Sequence, residues 1–293
     1  MKKVLFTILT VAMIVAVCVA CVACTGNDPI DKTTLDREIS VGFQNGTTGQ
    51  FYTEGYSNLT AKGYPNATLA VQDLISGRID YVITDIAPAK SITSKMNGQV
   101  KVVDINLTEE AYCYAVDPSN ATLLAQVNEF LKNNKAEIEA LENAYIEGTN
   151  KENVIKSGDA NAANALVVAT SADFPPFENI SGDGYVGIDL EIMKMFCDEY
   201  NYTLVINNMD FDSIVMNVQQ GKSDIGAAAL TWSEDRAKQV KFSDSYYAAA
   251  QVVIATSNDI TFDNCKTKED VEAILAVLGK KQSTSGTVSG EVA

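Results

Sequence analysis

The sequence predicts an α/β protein in two lobes, each a mostly parallel sheet flanked by helices, and three observations predict it. Short apolar runs alternate with amphipathic stretches along the chain after its leader. A polar, small-residue stretch at 151–164, ending in Asp159-Ala160-Asn161-Ala162-Ala163-Asn164, separates an earlier block of such elements from a later one. The roughly 265 residues that follow the leader are enough for two lobes of ordinary domain size.

The leader comes first. Lys2 and Lys3 precede an apolar run, Val4 to Ala23, that holds no acidic or basic side chain and reads as an export signal. Cys18, Cys21 and Cys24 crowd its end, and Cys21 and Cys24 each follow a small residue, Ala20 or Ala23, as lipoprotein-type processing requires. Cys24 is the preferred lipid acceptor, with Cys21 as the alternative, because Thr25-Gly26-Asn27-Asp28-Pro29 then begins a polar tether. Residues 1–24 are thus expected to be a lipoprotein-type export signal and 25–37 a tether, which leaves the remainder periplasmic or otherwise extracytoplasmic, lipid-anchored at a cell membrane. The competing reading is an uncleaved span, since about 20 apolar residues cross a bilayer.

In the earlier block, Ile39 to Phe43 reads as a strand, Thr68 to Ser76 as a helix, Tyr81 to Thr84 as a short buried strand, and Val100 to Ile105 and Tyr112 to Val116 as further strands. Leu123, Leu124, Val127, Leu131, Ile138 and Leu141 place one long helix, or two short ones, over Ala121 to Ala144. The later block opens with a strand, Leu166 to Thr170, turns at Pro175-Pro176, and enters a helix, Asp189 to Tyr200, whose Leu190, Met193 and Phe196 share a face. A strand at Thr203 to Ile206, a helix from Ser213 to Gln220 stopped by Gly221, and strands at Ile225 to Leu230 and Val252 to Ala255 follow. A helix from Lys268 to Leu278 precedes a Gly/Ser/Thr-rich stretch, Gln282 to Gly290, where the chain is expected to be cut short.

Composition excludes several function classes. With 38 acidic against 22 basic residues and no histidine, the formal charge of -16 repels nucleic acid, which is not expected as a partner. The missing histidine removes Ser-His-Asp and Cys-His arrangements. Cys113, Cys197 and Cys265 lack metal-ligand spacing and form no disulfide framework, so no cofactor, metal or catalytic residue is expected.

Four stretches of the later block stand in a suggestive order: Ala169-Thr170-Ser171-Ala172-Asp173-Phe174-Pro175-Pro176-Phe177-Glu178, Gly187-Ile188-Asp189-Leu190, Met209-Asp210-Phe211-Asp212-Ser213, and Ala228-Ala229-Leu230-Thr231-Trp232-Ser233-Glu234-Asp235-Arg236. Val240-Lys241-Phe242-Ser243-Asp244-Ser245-Tyr246-Tyr247 follows them. This block resembles the first lobe, and approach to the hinge, of the periplasmic polar-amino-acid-binding proteins, the family 3 solute-binding proteins. The earlier block resembles that family's second lobe and closing segment through Gln44-Asn45-Gly46-Thr47-Thr48-Gly49, Gly77-Arg78-Ile79-Asp80-Tyr81-Val82-Ile83-Thr84-Asp85 and Leu107-Thr108-Glu109-Glu110-Ala111-Tyr112. The resemblance covers about Glu38 to Ala255. It implies a two-lobe periplasmic-binding-protein (Venus-flytrap) fold, type II-like, that captures a free amino acid for an ABC transporter permease.

The family's order is lobe one, lobe two and back. Here 38–111 is lobe-two-like, 112–150 is a closing segment expected to pack on lobe one, 151–164 is a linker, and 165–255 is lobe-one-like. Gly279 to Thr287 faintly repeats the loop at Gln44 to Gly49, so 256–293 is expected to start a further lobe-two-like segment. Either a circular permutation or a tandem lacking its outer halves accounts for this, and in both cases the segments present assemble one complete cleft.

An amino acid presents a carboxylate and an ammonium a few ångströms apart. Arg236 suits the carboxylate, because guanidinium binds it through two parallel charge-assisted hydrogen bonds. By resemblance Thr231 adds a bond from lobe one and Thr48 one from lobe two, Asp85 and the carbonyl of Ala229 take the ammonium, and Phe174 and Phe211 cover the side chain. Ser171 stands where cation-binding relatives carry an acid and Thr84 where others place a histidine, which favours a polar, neutral cargo. Singly, Arg236 reads as a solvated charge, Asp85 as a cap, the phenylalanines as core and Gly-Thr-Thr-Gly as a turn; their joint order carries the functional reading. The rivals are a sensor module using the same cleft and a dehydratase-like enzyme on the same fold.

Overall fold

The computed structural model describes residues 28–151 and 153–279. The expected export signal, Cys21, Cys24 and the start of the tether lie outside the described residues, as does 280–293.

Along the earlier block, β1 (Ile39–Gln44) leads to α1 (Thr48–Glu54), β2 (Leu59–Tyr64), α2 (Ala67–Ile75), β3 (Tyr81–Asp85), α3 (Ile86–Thr93) and β4 (Val100–Val103). The strands β5 (Glu110–Tyr112) and β6 (Ala115–Val116) precede α4 (Ala121–Asn133) and α5 (Lys135–Glu147). The later block runs β7 (Ala165–Thr170), β8 (Asp173–Phe174), β9 (Glu178–Ser181), β10 (Gly184–Val186), α6 (Ile188–Glu199), β11 (Thr203–Asn208) and α7 (Ile214–Gln219). It continues through β12 (Ile225–Gly226), α8 (Glu234–Ala237), β13 (Lys241–Phe242), β14 (Tyr247–Ala249), β15 (Gln251–Thr256) and α9 (Lys268–Leu275).

Two five-stranded sheets define two lobes. Lobe two has the order β2-β1-β3-β15-β4, with β1 parallel to β2 and β3, and β15 antiparallel to both its neighbours. Lobe one has the order β11-β7-β12-β6-β13, with β7 parallel to β11 and β12, and β6 antiparallel to β12 and β13. The fourth strand of each sheet is therefore the antiparallel one, and each is delivered by the block that builds the other lobe. The chain makes both crossings side by side, where β5 and β14 pair antiparallel with Tyr112 opposite Tyr247. A two-strand crossing of this kind is a hinge geometry.

Both faces of each sheet are covered, which is why β3, Tyr-Val-Ile-Thr-Asp, is buried at every position rather than alternating. In lobe two, Val41, Tyr81, Ile83 and Val253 point to one face against Val271, Leu275 and Leu278. Val82, Val252 and Ile254 point to the other, against Val71 and Leu74 of α2 and Ile92 of α3, as the two-residue period of strands requires. In lobe one, Val168, Ile206 and Ile225 pack with Val127 and Phe130 of α4 and Phe196 of α6, while Ala169 and Ala115 face Ile214 and Val218 of α7.

Several expectations are redrawn. Tyr112 to Val116 is two strands in different sheets, and the stretch 121–144 is two helices divided at Asn134. The strand expected over Ile225 to Leu230 stops at Gly226, and Ala229 takes a left-handed φ of 48° that no strand accommodates. The closing segment sits on lobe one: β6 enters its sheet, and the rings of Phe130 and Phe196 meet edge-to-face at 5.5 Å. Around the expected boundary at 255/256 the chain already belongs to the sheet of lobe two. β15 lies between β3 and β4 in lobe two, and α9, held by a Thr267–Asp270 capping box, buries Val271 and Leu275 against Ile39, Val41 and Leu59. Residues 256–279 therefore close the lobe that the earlier block begins instead of starting another. The linker is also pinned: Ile155 bridges to Tyr185, the Gly158 amide donates to the Leu204 carbonyl at 2.8 Å, and the Ile206 amide donates to Ser157 Oγ at 2.9 Å. Among the described residues no helix is long and apolar enough to cross a membrane.

Candidate functional site

Gln44, Thr47, Thr48 and Asp85 of lobe two face Phe174, Phe211, Ala229, Thr231 and Arg236 of lobe one around a narrow cleft with a free volume of only about 10 Å³. The side chains reach it from the carboxyl ends of strands. Gln44 ends β1, Asp85 ends β3, Phe211 follows β11, and Ala229 and Thr231 follow β12. Open α/β sheets bind ligands at such ends, where loops replace ladder and leave backbone groups free.

Arg236 is 9% exposed and sits on α8, whose N-cap Ser233 accepts from the Arg236 amide. Its Nη1 donates to the Thr231 carbonyl at 2.6 Å and its Nη2 donates across the cleft to the Gly46 carbonyl at 2.9 Å. The guanidinium lies 5.4 Å from the Phe211 ring centroid. No ion pair among the described residues includes it; burial lowers its pKa, and only the more distant charges of Asp85 and Glu110 oppose that. A buried cation with neutral partners and spare N–H groups is prepared for an incoming anion.

Asp85 is buried opposite. Burial pushes its carboxyl up to about 7, the Glu110 charge adds to the rise, and hydrogen bonds from Tyr112 and Gln251 restrain it. The Tyr112 hydroxyl donates to it at 2.7 Å. Tyr112 is in turn wedged edge-to-face against Phe177 at 5.0 Å and stacked on Tyr247 at 5.6 Å.

Ala229 holds its left-handed φ because Asp189, at the start of α6, accepts from the Ala229 amide at 2.8 Å. Asp189 also accepts from the Tyr246 hydroxyl at 2.6 Å, and burial pushes its carboxyl up to about 7. This strained turn, fixed from beneath, is what brings Ala229 to the cleft.

Seven of the residues singled out from the sequence thus meet: Arg236, Thr231, Ala229, Asp85, Thr48, Phe174 and Phe211. Ser171 and Thr84 do not line the cleft. Strand alternation turns Thr84 to the face opposite Asp85, where its register partner is Val252. Ser171 is buried, and its hydroxyl lies 3.3 Å from an Asp173 carboxylate oxygen. Sequence reasoning missed Gln44, Thr47 and Glu110. Gln44 ends a strand named for its apolar run, and its amide has no hydrogen-bond partner among the described residues. Thr47 caps α1, donating to the Gln44 carbonyl at 2.8 Å. Glu110 lies in the hinge, where its Oε2 accepts from Thr48 and Thr231, each at 2.8 Å. Among the described residues no cluster of acids or cysteines could hold a metal ion.

Residues 166–287 match the family model of the bacterial extracellular solute-binding proteins, family 3. The chain is 34% identical over 99 residues to the arginine-binding extracellular protein ArtP of Bacillus subtilis, covering 34% of this chain and 39% of that one. It is 32% identical over 111 residues to the ABC transporter arginine-binding protein 1 of Escherichia coli, covering 37% and 46%. A solved structure of an ancestral arginine-binding protein bound to glutamine is 38% identical over 30% of this chain and 39% of that chain, with a TM-score of 0.28. The chain therefore spans less than half the length of the two curated relatives.

Proposed function

We propose, from the match of residues 166–287 to the family model of the bacterial extracellular solute-binding proteins of family 3, that this chain captures a polar amino acid between its lobes and delivers it to an ABC transporter permease. The observation that carries the reading is the pairing of a buried, ion-pair-free guanidinium, Arg236 of lobe one, with a buried carboxylate, Asp85 of lobe two, on opposite walls of one cleft. In this reading Arg236 grips the cargo carboxylate with the Thr231 and Thr48 hydroxyls, and Asp85 and the Ala229 carbonyl take the ammonium. Phe174 and Phe211 cover the side chain and exclude water, which strengthens the charged contacts. Cargo gripped from both walls favours the closed hinge, because it gains contacts only there. Similarity to arginine-binding relatives widens the proposed cargo from neutral to cationic amino acids. The role is binding without turnover.

The chain is further read as extracytoplasmic and lipid-anchored through Cys24, or Cys21 if processing occurs one site earlier. Metabolic labelling with a fatty acid tests this: label is expected on the native protein and absent from a Cys24→Ala, Cys21→Ala double variant.

Thermal unfolding of the purified protein against the twenty amino acids tests the function, since a ligand at 100 times its Kd adds about 2.7 kcal/mol of stability. A rise in Tm with one or a few polar amino acids is expected. A cooperative transition that none of them moves would reject the reading.

A further inference from the structure

The Thr48 and Thr231 hydroxyls, from opposite lobes, both donate to a single oxygen, Oε2 of Glu110, at 2.8 Å. The direction of these bonds is fixed, because a carboxylate only accepts and a hydroxyl has one proton. Thr48 Oγ1 also accepts from Gln251 Nε2 at 2.8 Å, which engages a lone pair and leaves its proton on Glu110. The other carboxylate oxygen, Oε1, accepts from Thr108 at 2.7 Å. While this arrangement stands, neither threonine can donate to a second carboxylate. Arg236 differs: two of its N–H groups reach backbone carbonyls, and the rest of its fork is available.

We propose that Glu110 is an internal competitor for the cargo carboxylate, holding the two hydroxyl protons that cargo must recruit and thereby weakening and tuning affinity. The proposal rests on the amino-acid-receptor reading. Cargo arriving at Arg236 displaces Glu110 from Thr48 and Thr231, or binds through the guanidinium alone; either way it meets a like charge held next to the two threonines that line the cleft. Glu110 acts through the threonines, so it is a positioning residue. Its place on β5 puts this competition in the hinge, where lobe movement itself makes or breaks both bonds.

Isothermal titration with L-arginine, L-histidine and L-glutamine tests the proposal on the wild type, Glu110→Ala and Glu110→Gln. Freeing both hydroxyls should make Glu110→Ala bind about tenfold tighter, and the uncharged Glu110→Gln, which still accepts from hydroxyls, should fall between. Thr231→Val should cost about tenfold more affinity in the Glu110→Ala background than in the wild type, a coupling that a merely structural role would not produce. Binding no tighter in either Glu110 variant, or equal Thr231→Val costs in the two backgrounds, overturns the proposal while leaving the receptor reading intact. If Glu110→Ala lacks a cooperative thermal transition, the near-isosteric Glu110→Gln decides alone. Absence of binding by every folded form removes the receptor reading, and this proposal with it.

Discussion

The hydroxyl of Tyr112 donates to the carboxylate of Asp85 across 2.7 Å, tying the hinge strand β5 to the end of β3. The contact places the proposed ammonium partner beside the strand pair that crosses between the lobes, and it is the strongest of the hydrogen bonds that hold the Asp85 carboxyl at about 7 rather than higher.

Affinity should therefore depend on pH near neutrality. Free Asp85 binds a proton below about 7, and an ammonium selects its ionised form, so affinity falls as pH drops through 7, approaching tenfold per unit, and binding near pH 6.5 releases protons. Titration from pH 5.5 to 8.5 in buffers of different ionisation enthalpy measures both. Asp85→Asn should flatten the dependence. The stability of the protein itself runs the other way. Asp85, Asp189 and Glu142 are all raised to about 7 by burial, so their protonated forms favour the fold. That contribution is complete below the unfolded carboxylate range near 4 and is lost as pH rises through about 7. Tm without amino acid should be several degrees higher at pH 5.5 than at pH 8.

Arg236→Ala should remove most affinity, because deleting one partner of a buried charge pair costs about 2 to 5 kcal/mol. Arg236→Lys should restore little, since an ammonium cannot match the planar fork that also spans to the Thr231 and Gly46 carbonyls. Calorimetric Kd values decide this, and wild-type affinity in Arg236→Ala would reject the carboxylate role.

Gly46 has φ 78°, and a Cβ there would meet the Asp212 Cβ of the opposite lobe at 2.9 Å. Gly46→Ala should strain the loop and hold the lobes apart, lowering affinity about tenfold or more with a smaller change in the apo Tm. Small-angle scattering with saturating amino acid should show incomplete closure.

Phe196→Ala should destabilise the protein by about 3 to 5 kcal/mol, since the ring is fully buried against Phe130, Tyr200 and Tyr202. It should also make α4 an early site of proteolysis, because Phe130 docks the closing segment on lobe one. Equilibrium urea unfolding and limited proteolysis check the two effects.

Resemblance to the family 3 motifs implies one cleft for Arg236, Asp85 and Thr48, and all three line the space between the lobes, at strand ends or loop and helix starts that leave the ladders unbroken. Thr84 shows the limit of motif position: it neighbours Asp85, yet a two-residue period sends it to the packed face. Glu110 lies within a motif but carries no local sign of its contacts, which arise only when β5 brings Thr48 and Thr231 to it from segments 62 and 121 residues away. The helix α1, Thr-Gly-Gln-Phe-Tyr-Thr-Glu, lacks an apolar face to read, and α3 carries Pro88 in its first turn, so neither shows in the periodicity of the sequence. The lobe assignment of β15 was illegible for a topological reason: its apolar run satisfies any sheet interior, and only pairing with β3 and β4 settles which.

That pairing has a consequence for how the protein is made. The sheet of lobe two has a gap between β3 and β4 that is filled only when Gln251 to Thr256 has left the ribosome, long after β4 has emerged at Val103. At about 5 to 20 residues per second the nascent chain carries that open sheet for roughly 10 to 30 s. During that time Ile83 and Val82 present unpaired, apolar strand edges of the kind that aggregate. Biogenesis then depends on holding the first-synthesised lobe unfolded until its last strand arrives. Export of the kind proposed above, which keeps a chain extended during translocation, would meet that requirement without any further device.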